Sequence, residues 1–211
     1  MAMCHVLLLG GIGSGKSTVA RLLSERGMEI INADEIGHDV LEDLEVVEEV
    51  AAEWPSVIVA GVVDRGRVAD IVFADKEELL RLESITHPRI RQRLNDRVAA
   101  ARADFLVVEM PLLSTLVDGN WFRVVVDAPS GIRLDRLVSR GMSAADAQTR
   151  IDLQPNRSDY LAAADYVIDN GGSERALQEA VDRLVDALEA CSAGRSSEGP
   201  TSGVKNRILY E

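Results

Sequence analysis

Aromatic residues are scarce in this sequence: two Trp, three Tyr and three Phe amount to 4% of 211 residues. Leu, Val, Ile and Ala must therefore fill the core, and with 46% of the chain hydrophobic a sizeable core can be buried. Cysteine is nearly absent. Cys4 and Cys191 lie far apart without metal-ligand spacing, which argues for two free thiols in a reducing cytosol and against a disulfide framework. No apolar run approaches the ~20 residues that span a bilayer. The N-terminal apolar run has no basic region before it and leads straight into GGIGSGKS, so it reads as a strand and not a signal peptide. A soluble, cytoplasmic protein with no membrane partner is expected. Basic residues are outnumbered 23 to 35, for a net charge of -12. That disfavours general nucleic-acid binding, which rests on Lys and Arg meeting phosphates. A phosphorylated small molecule is not excluded, because a few cations in a cleft set the local field.

The length suits one domain with insertions, or a core with a smaller lobe. His5 to Leu9 (HVLLL) reads as a strand buried on both faces. A helix follows over Lys16 to Arg26, stopped at Gly27, and then a strand over Met28 to Asn32. Apolar spacing predicts one helix over Asp34 to Ala52, broken by Trp54-Pro55. A weak strand at Val57 to Val59 and a turn at Gly61 come next. Residues 67 to 101 read as a short and a long helix, the latter bent near Pro88. Strands are expected at Asp104 to Met110, Phe122 to Asp127 and Tyr166 to Ile168. Helices are expected at Ser130 to Arg140, from Ser143 with Asp146 placed as in a capping box, and at Glu174 to Ala190. From Ser192 the chain turns to Ser, Gly and charge, the composition of a disordered tail. Five short apolar strands alternating with helices predict an α/β fold, a parallel five-stranded sheet flanked by helices, with ligands at the carboxyl ends of the strands.

The most specific signal is G-G-I-G-S-G-K-S at 10 to 17, which fits G-x-x-x-x-G-K-[ST] through Gly10, Gly15, Lys16 and Ser17. Gly11, Ile12, Gly13, Ser14, Gly15 and Thr18 complete the loop that would hold the phosphates. Glycines let successive N–H groups point at phosphate oxygens, and the following helix adds the positive end of its dipole. Lys16 supplies a full charge to the β- and γ-phosphates of ATP, and the Ser17 hydroxyl suits Mg²⁺. A chance glycine-rich turn of this pattern arises in roughly one chain per hundred of this length, and here a strand precedes and a helix follows. The small size and the arginine-bearing helices of the second half favour a small-molecule kinase with a lid that excludes water.

A phosphoryl acceptor benefits from a carboxylate that orients its hydroxyl and takes its proton, and Asp34 after the second strand fits that task as well as it fits a helix N-cap. Glu109 ends a buried strand at the same edge. It suits a Mg²⁺-bound water, contacts to the acceptor, or a structural pairing. Arg89, Arg93 and Arg97 share one helix face, suited to anionic groups or, preferably, to pairing with the abundant carboxylates. His38, one turn after Asp34, suits either support of that carboxylate or, preferably, a partly exposed helical histidine, and the acidic run at 42 to 49 reads as a solvated face.

GGIGSGKST, N-A-D-E-I-G-H at 32 to 38, H-P-R-I at 87 to 90, V-V-E-M-P-L-L at 107 to 113, R-I-D-L-Q at 150 to 154 and A-D-Y-V-I-D-N at 164 to 170 together resemble the dephospho-CoA kinase family over residues 5 to 190. The resemblance implies transfer of the γ-phosphate of ATP to the 3′-hydroxyl of dephospho-CoA, with ATP and dephospho-CoA as small-molecule partners. It implies a core (1-33, 104-130, 158-191), an inserted helical acceptor lobe (34-103) and a lid (131-157). Asp34 then matches the catalytic aspartate, with Lys16 and Arg140 as its catalytic companions at the phosphates. Arg65 and His87 fall in the acceptor lobe, Arg136 and Arg150 are further lid candidates, and Asn170 lies near the nucleotide base. Asn32 stands where the family usually has Asp, Leu9 where it has Thr, Ser114-Thr115 where it has Phe-Glu, and Tyr160 where Lys is common; Phe-Gly is lacking before Gly61. These departures bear on the acceptor more than on ATP. Another small-molecule kinase, of nucleoside monophosphate or shikimate type, and a non-catalytic nucleotide-binding module are the alternatives.

Overall fold

The structure, a computed structural model, describes residues 4–72, 74–110, 113 and 116–192. The chain forms two compact units. The first holds described residues 4–32, 101–110, 113 and 119–192; the second holds 33–72, 74–100 and 116–118.

The first unit is built on β1 (Cys4–Leu9), β2 (Glu29–Asn32), β5 (Phe105–Glu109), β6 (Phe122–Asp127) and β7 (Tyr166–Asp169), in the order β2-β5-β1-β6-β7. All four pairings are parallel. Val6 to Leu9 are almost wholly buried, as a central strand covered on both faces requires. One face is covered by α1 (Lys16–Ser24) and α9 (Glu174–Ser192). Val19, Leu22 and Leu23 of α1, and Leu177, Val181, Leu184 and Leu188 of α9, pack on Val6, Leu8, Val107, Val124 and Ile168. The leucines of α9 recur every three or four residues, so one stripe faces the sheet. Also in this unit are α6 (Ser130–Ser139), α7 (Ala144–Asp152) and α8 (Arg157–Ala163). Leu137, Ala147 and Ile151 join α6 to α7 in a small cluster of their own.

The second unit contains α2 (Ala33–Val40), α3 (Leu44–Glu53), the antiparallel pair β3 (Ile58–Val59) and β4 (Val62–Val63), α4 (Arg65–Val72) and α5 (Lys76–Ala100). Its interior holds Ile36, Val40, Val46, Val50, Val68, Ile90 and Leu94. No helix among the described residues is long and apolar enough to cross a membrane.

Several expectations need correction. The single helix over 34 to 52 is two. Asp43 takes an extended conformation (ψ 131°) and the chain restarts as α3, with Val47 N–H bonded to Asp43 C=O. Apolar periodicity runs through this break, and Asp is a favoured residue at the helix start it creates. Val57 belongs to a 3₁₀ turn (Pro55–Val57), and the strand begins one residue later. The long helix is one element running through Pro88, as expected. The short helix α8 had no sequence expectation. Ser192, expected to open the tail, closes α9; residues 193 to 211, like Ser114 and Thr115, lie outside the described residues.

Candidate active site

The phosphate loop leaves β1 at the centre of the sheet. Gly13 and Gly15 have φ of 77° and 97°, a conformation costly for any residue with a side chain. Close packing makes the same demand: a Cβ on Gly15 would lie 2.1 Å from Asn170 Nδ2, and one on Gly11 would lie 2.4 Å from Arg133 Nη2. Gly15 caps α1. The first N–H groups of a helix lie beyond the reach of its own carbonyls, so this end of α1 is suited to an anion.

Side chains grip the outside of the loop. Arg133 Nε donates to Ile12 C=O (2.8 Å), Arg136 Nη1 to Gly13 C=O (3.3 Å) and Ser14 C=O (3.2 Å), and Asn170 Nδ2 to Ser14 C=O (2.7 Å). In a trans peptide the C=O and the next N–H point oppositely. Holding these carbonyls outward therefore turns the N–H groups of Gly13 and Gly15 inward, where phosphate oxygens would sit. Asn170 is 7% exposed, and its own C=O accepts from Arg136 Nη2 (2.8 Å). Its side chain contacts the loop and Arg136, and its N–H donates to Asp127 C=O (2.7 Å).

Lys16 Nζ reaches back to Gly10 C=O at 2.7 Å. Ser17 Oγ donates to Glu109 Oε1 at 2.8 Å. Glu109 is 4% exposed at the end of β5, where the register sets it beside Leu8 of β1 and Asn32 of β2. The parallel sheet thus delivers a carboxylate to the loop hydroxyl.

In the second unit, Asp34 lies exposed in the first turn of α2, inside the helix and not at its cap. It follows Asn32, the last residue of β2, by two positions. Arg65 opens α4 and is exposed, and His87 on α5 has Nε2 4.0 Å from Glu83 Oε1. A cleft of about 560 Å³ in this unit is lined by Asp43, Leu44, Glu45, Arg89, Gln92, Arg93 and Asp96. Its arginines are engaged: Arg89 with Glu49 (2.7 Å), Arg93 with Asp43. Pairing, the preferred reading of that helix face, is what these two arginines show.

The model of the family described as CoaE, dephospho-CoA kinase, matches residues 4–175. The chain belongs to the dephospho-CoA kinase family. A dephospho-CoA kinase of Thermobifida fusca is 38% identical over 194 residues, covering 89% of this chain and 97% of that protein. The crystal structure of TT1252 from Thermus thermophilus superposes with a TM-score of 0.77 at 30% identity, covering 89% of this chain and 99% of that one. The dephospho-CoA kinase from Campylobacter jejuni gives 0.56 at 25% identity, covering 86% and 96%.

Of the expected lid residues of this family member, Arg136 holds the loop, while Arg140 lies exposed just after α6 as its C-cap and Arg150 lies exposed in the last turn of α7. Sequence reasoning missed Arg133, Gln154 and the Asp127–Arg157 pair. Asp127, 6% exposed at the end of β6, accepts from Arg157 Nη2 at 2.6 Å and from Nε at 2.9 Å. Arg133 lies one turn before Arg136, the only cue to it in the sequence. Burial lowers the Arg133 pKa, opposed by nearby Tyr160 and Asp127. Burial likewise raises that of Tyr160, opposed by Arg133. A lysine at 160 would put a second cation beside buried Arg133. Tyrosine avoids that repulsion.

Proposed function

We propose that this chain transfers the γ-phosphate of ATP to the 3′-hydroxyl of the dephospho-CoA ribose. The observation that carries the reading is the Ser17–Glu109 contact at a phosphate-gripping loop, in a chain that belongs to this family. The loop N–H groups and Lys16 hold the triphosphate and spread the charge of the transferring group. Asp34 orients the acceptor hydroxyl and takes its proton as oxygen attacks the γ-phosphorus and the bond to the β-phosphate oxygen breaks, releasing ADP. Arg140 contributes from the lid, and Asn170 keeps the loop in shape. Arg65 and His87 contact the acceptor.

Hard oxygen donors suit Mg²⁺, and Ser17 with Glu109 offers a hydroxyl and a carboxylate side by side. Among the described residues no three His, Cys, Asp or Glu gather as a cage. This suits an ion that keeps several waters and takes the rest of its ligands from phosphates. When bound, the ion neutralises charge on the β- and γ-oxygens. Ser17 would ligate it directly and Glu109 through a bound water, a role we prefer to acceptor contact because Glu109 is buried against Ser17. Two unbridged thiols suit a reducing compartment such as the cytoplasm.

ADP release measured over a panel of acceptors tests this. Turnover is expected with dephospho-CoA and not with nucleoside monophosphates or shikimate. Turnover with one of those, or ATP binding with no acceptor-dependent ADP, overturns it.

A further inference from the structure

We propose that Ile12 is the joint through which α6 and α7 set the shape of the phosphate loop, and that Arg133 and Gln154 are positioning residues for the bound triphosphate. The inference rests on the loop binding ATP and is independent of the acceptor. Ile12 is held at three points. Its N–H donates to Gln154 Oε1 at 2.7 Å, and its C=O accepts from Arg133 Nε at 2.8 Å. Its side chain packs into the cluster of Leu137, Ala147 and Ile151 between α6 and α7. Arg133 Nη2 also donates to Gln154 Oε1 at 3.2 Å, closing a ring of three groups around one residue.

The ring fixes its own orientation. Both neighbours of the Gln154 amide are donors, so only its oxygen can face them. Arg133 is 6% exposed, and its backbone also closes on Gly13, where a Cβ would meet Arg133 C=O at 2.8 Å. With the Ile12 carbonyl held outward, the Gly13 N–H faces the phosphate side of the same peptide plane. If that plane is free to rotate, one amide is lost from the cradle. The loop motif fixes residue types at Gly10, Gly15, Lys16 and Ser17 and leaves position 12 open, so the joint is a property of this chain's tertiary structure.

Gln154→Leu removes the shared acceptor. Gln154→Glu keeps an oxygen for both donors. Calorimetry of Mg·ATP binding, which needs no acceptor, is expected to show about tenfold weaker affinity for Gln154→Leu, the worth of one hydrogen bond to a charged group. Most of that loss should return in Gln154→Glu. Arg133→Lys, whose single ammonium cannot serve both oxygens along the same two directions, should show a smaller loss of the same kind. A purely structural role would lower the melting temperature and leave the affinity of the folded protein unchanged. Wild-type affinity in folded Gln154→Leu, or equal loss in the Leu and Glu variants, overturns the proposal. Failure of the kinase reading shows up separately, as wild-type protein that binds ATP without phosphorylating dephospho-CoA.

Discussion

At the scale of single residues, the loop is intolerant where its backbone is left-handed and closely approached. Gly15→Ala combines a φ of 97° with a Cβ placed 2.1 Å from Asn170 Nδ2, so the Asn170–Ser14 bond must give way. We expect ATP affinity to fall about tenfold by calorimetry, because losing that hydrogen bond costs ~1 kcal/mol and a side chain in the left-handed conformation costs about 1 kcal/mol more. Tyr160 makes the opposite case. It is buried, and among the described residues nothing bonds its hydroxyl. Tyr160→Phe should therefore leave stability unchanged or raise it by about 1 kcal/mol in urea unfolding. The folded-state pKa of this phenol is raised, so the native protein holds its proton at a pH where the unfolded chain has released it. Stability from this group is present below the ordinary value of 10.0 and is lost as pH rises through and above it. The phenylalanine variant should lack that alkaline loss. Lys16 and Ser17 were legible in the sequence because the loop motif fixes their spacing. Arg133 was not, because its partner is a backbone carbonyl 121 residues away.

At the scale of elements, caps and stripes decide. Ser143 Oγ accepts from Asp146 N–H at 3.1 Å at the start of α7, as the capping pattern predicted. Ser143→Ala should cost about 1 kcal/mol, read as a shift of the urea midpoint at constant slope. Arg157 at the head of α8 is the partner of a carboxylate only 6% exposed. Arg157→Leu leaves Asp127 buried without that charge and should cost roughly 3 kcal/mol, more than the loss expected of an exposed pair. The strands of the sheet were legible because continuous Val and Leu runs have few other places in a fold. The break between α2 and α3 was not. Asp43, the residue that makes it, pairs with Arg93 fifty positions on, and nothing within a helical window records that partner.

At the scale of the whole molecule, nucleotide binding and catalysis should separate. Mg·ATP at a hundred times its dissociation constant stabilises a binding-competent fold by about 2.7 kcal/mol, visible as a higher melting temperature. Lys16→Met should abolish most of that shift. Asp34→Asn should keep it while turnover falls by about 10² to 10⁴. Full activity in Asp34→Asn would remove that residue from the role of base. The two outcomes separate because Lys16 belongs to the loop and Asp34 to the second unit.

What the sequence determined by itself is local: the phosphate loop, the buried strands, the amphipathic helix at Glu174 to Ala190 and the family. Each is written in spacing along the chain, and backbone geometry turns spacing into shape without distant help. What only the tertiary structure decided is which side chains meet from afar. Glu109 reaches Ser17, Asn170 reaches Ser14, and Arg133 with Gln154 closes on Ile12. Those meetings depend on the parallel register of β1 with β5 and β6 and on the packing of α6 against α7. Hydrogen bonds carry no mark in sequence until the chain has brought donor and acceptor together.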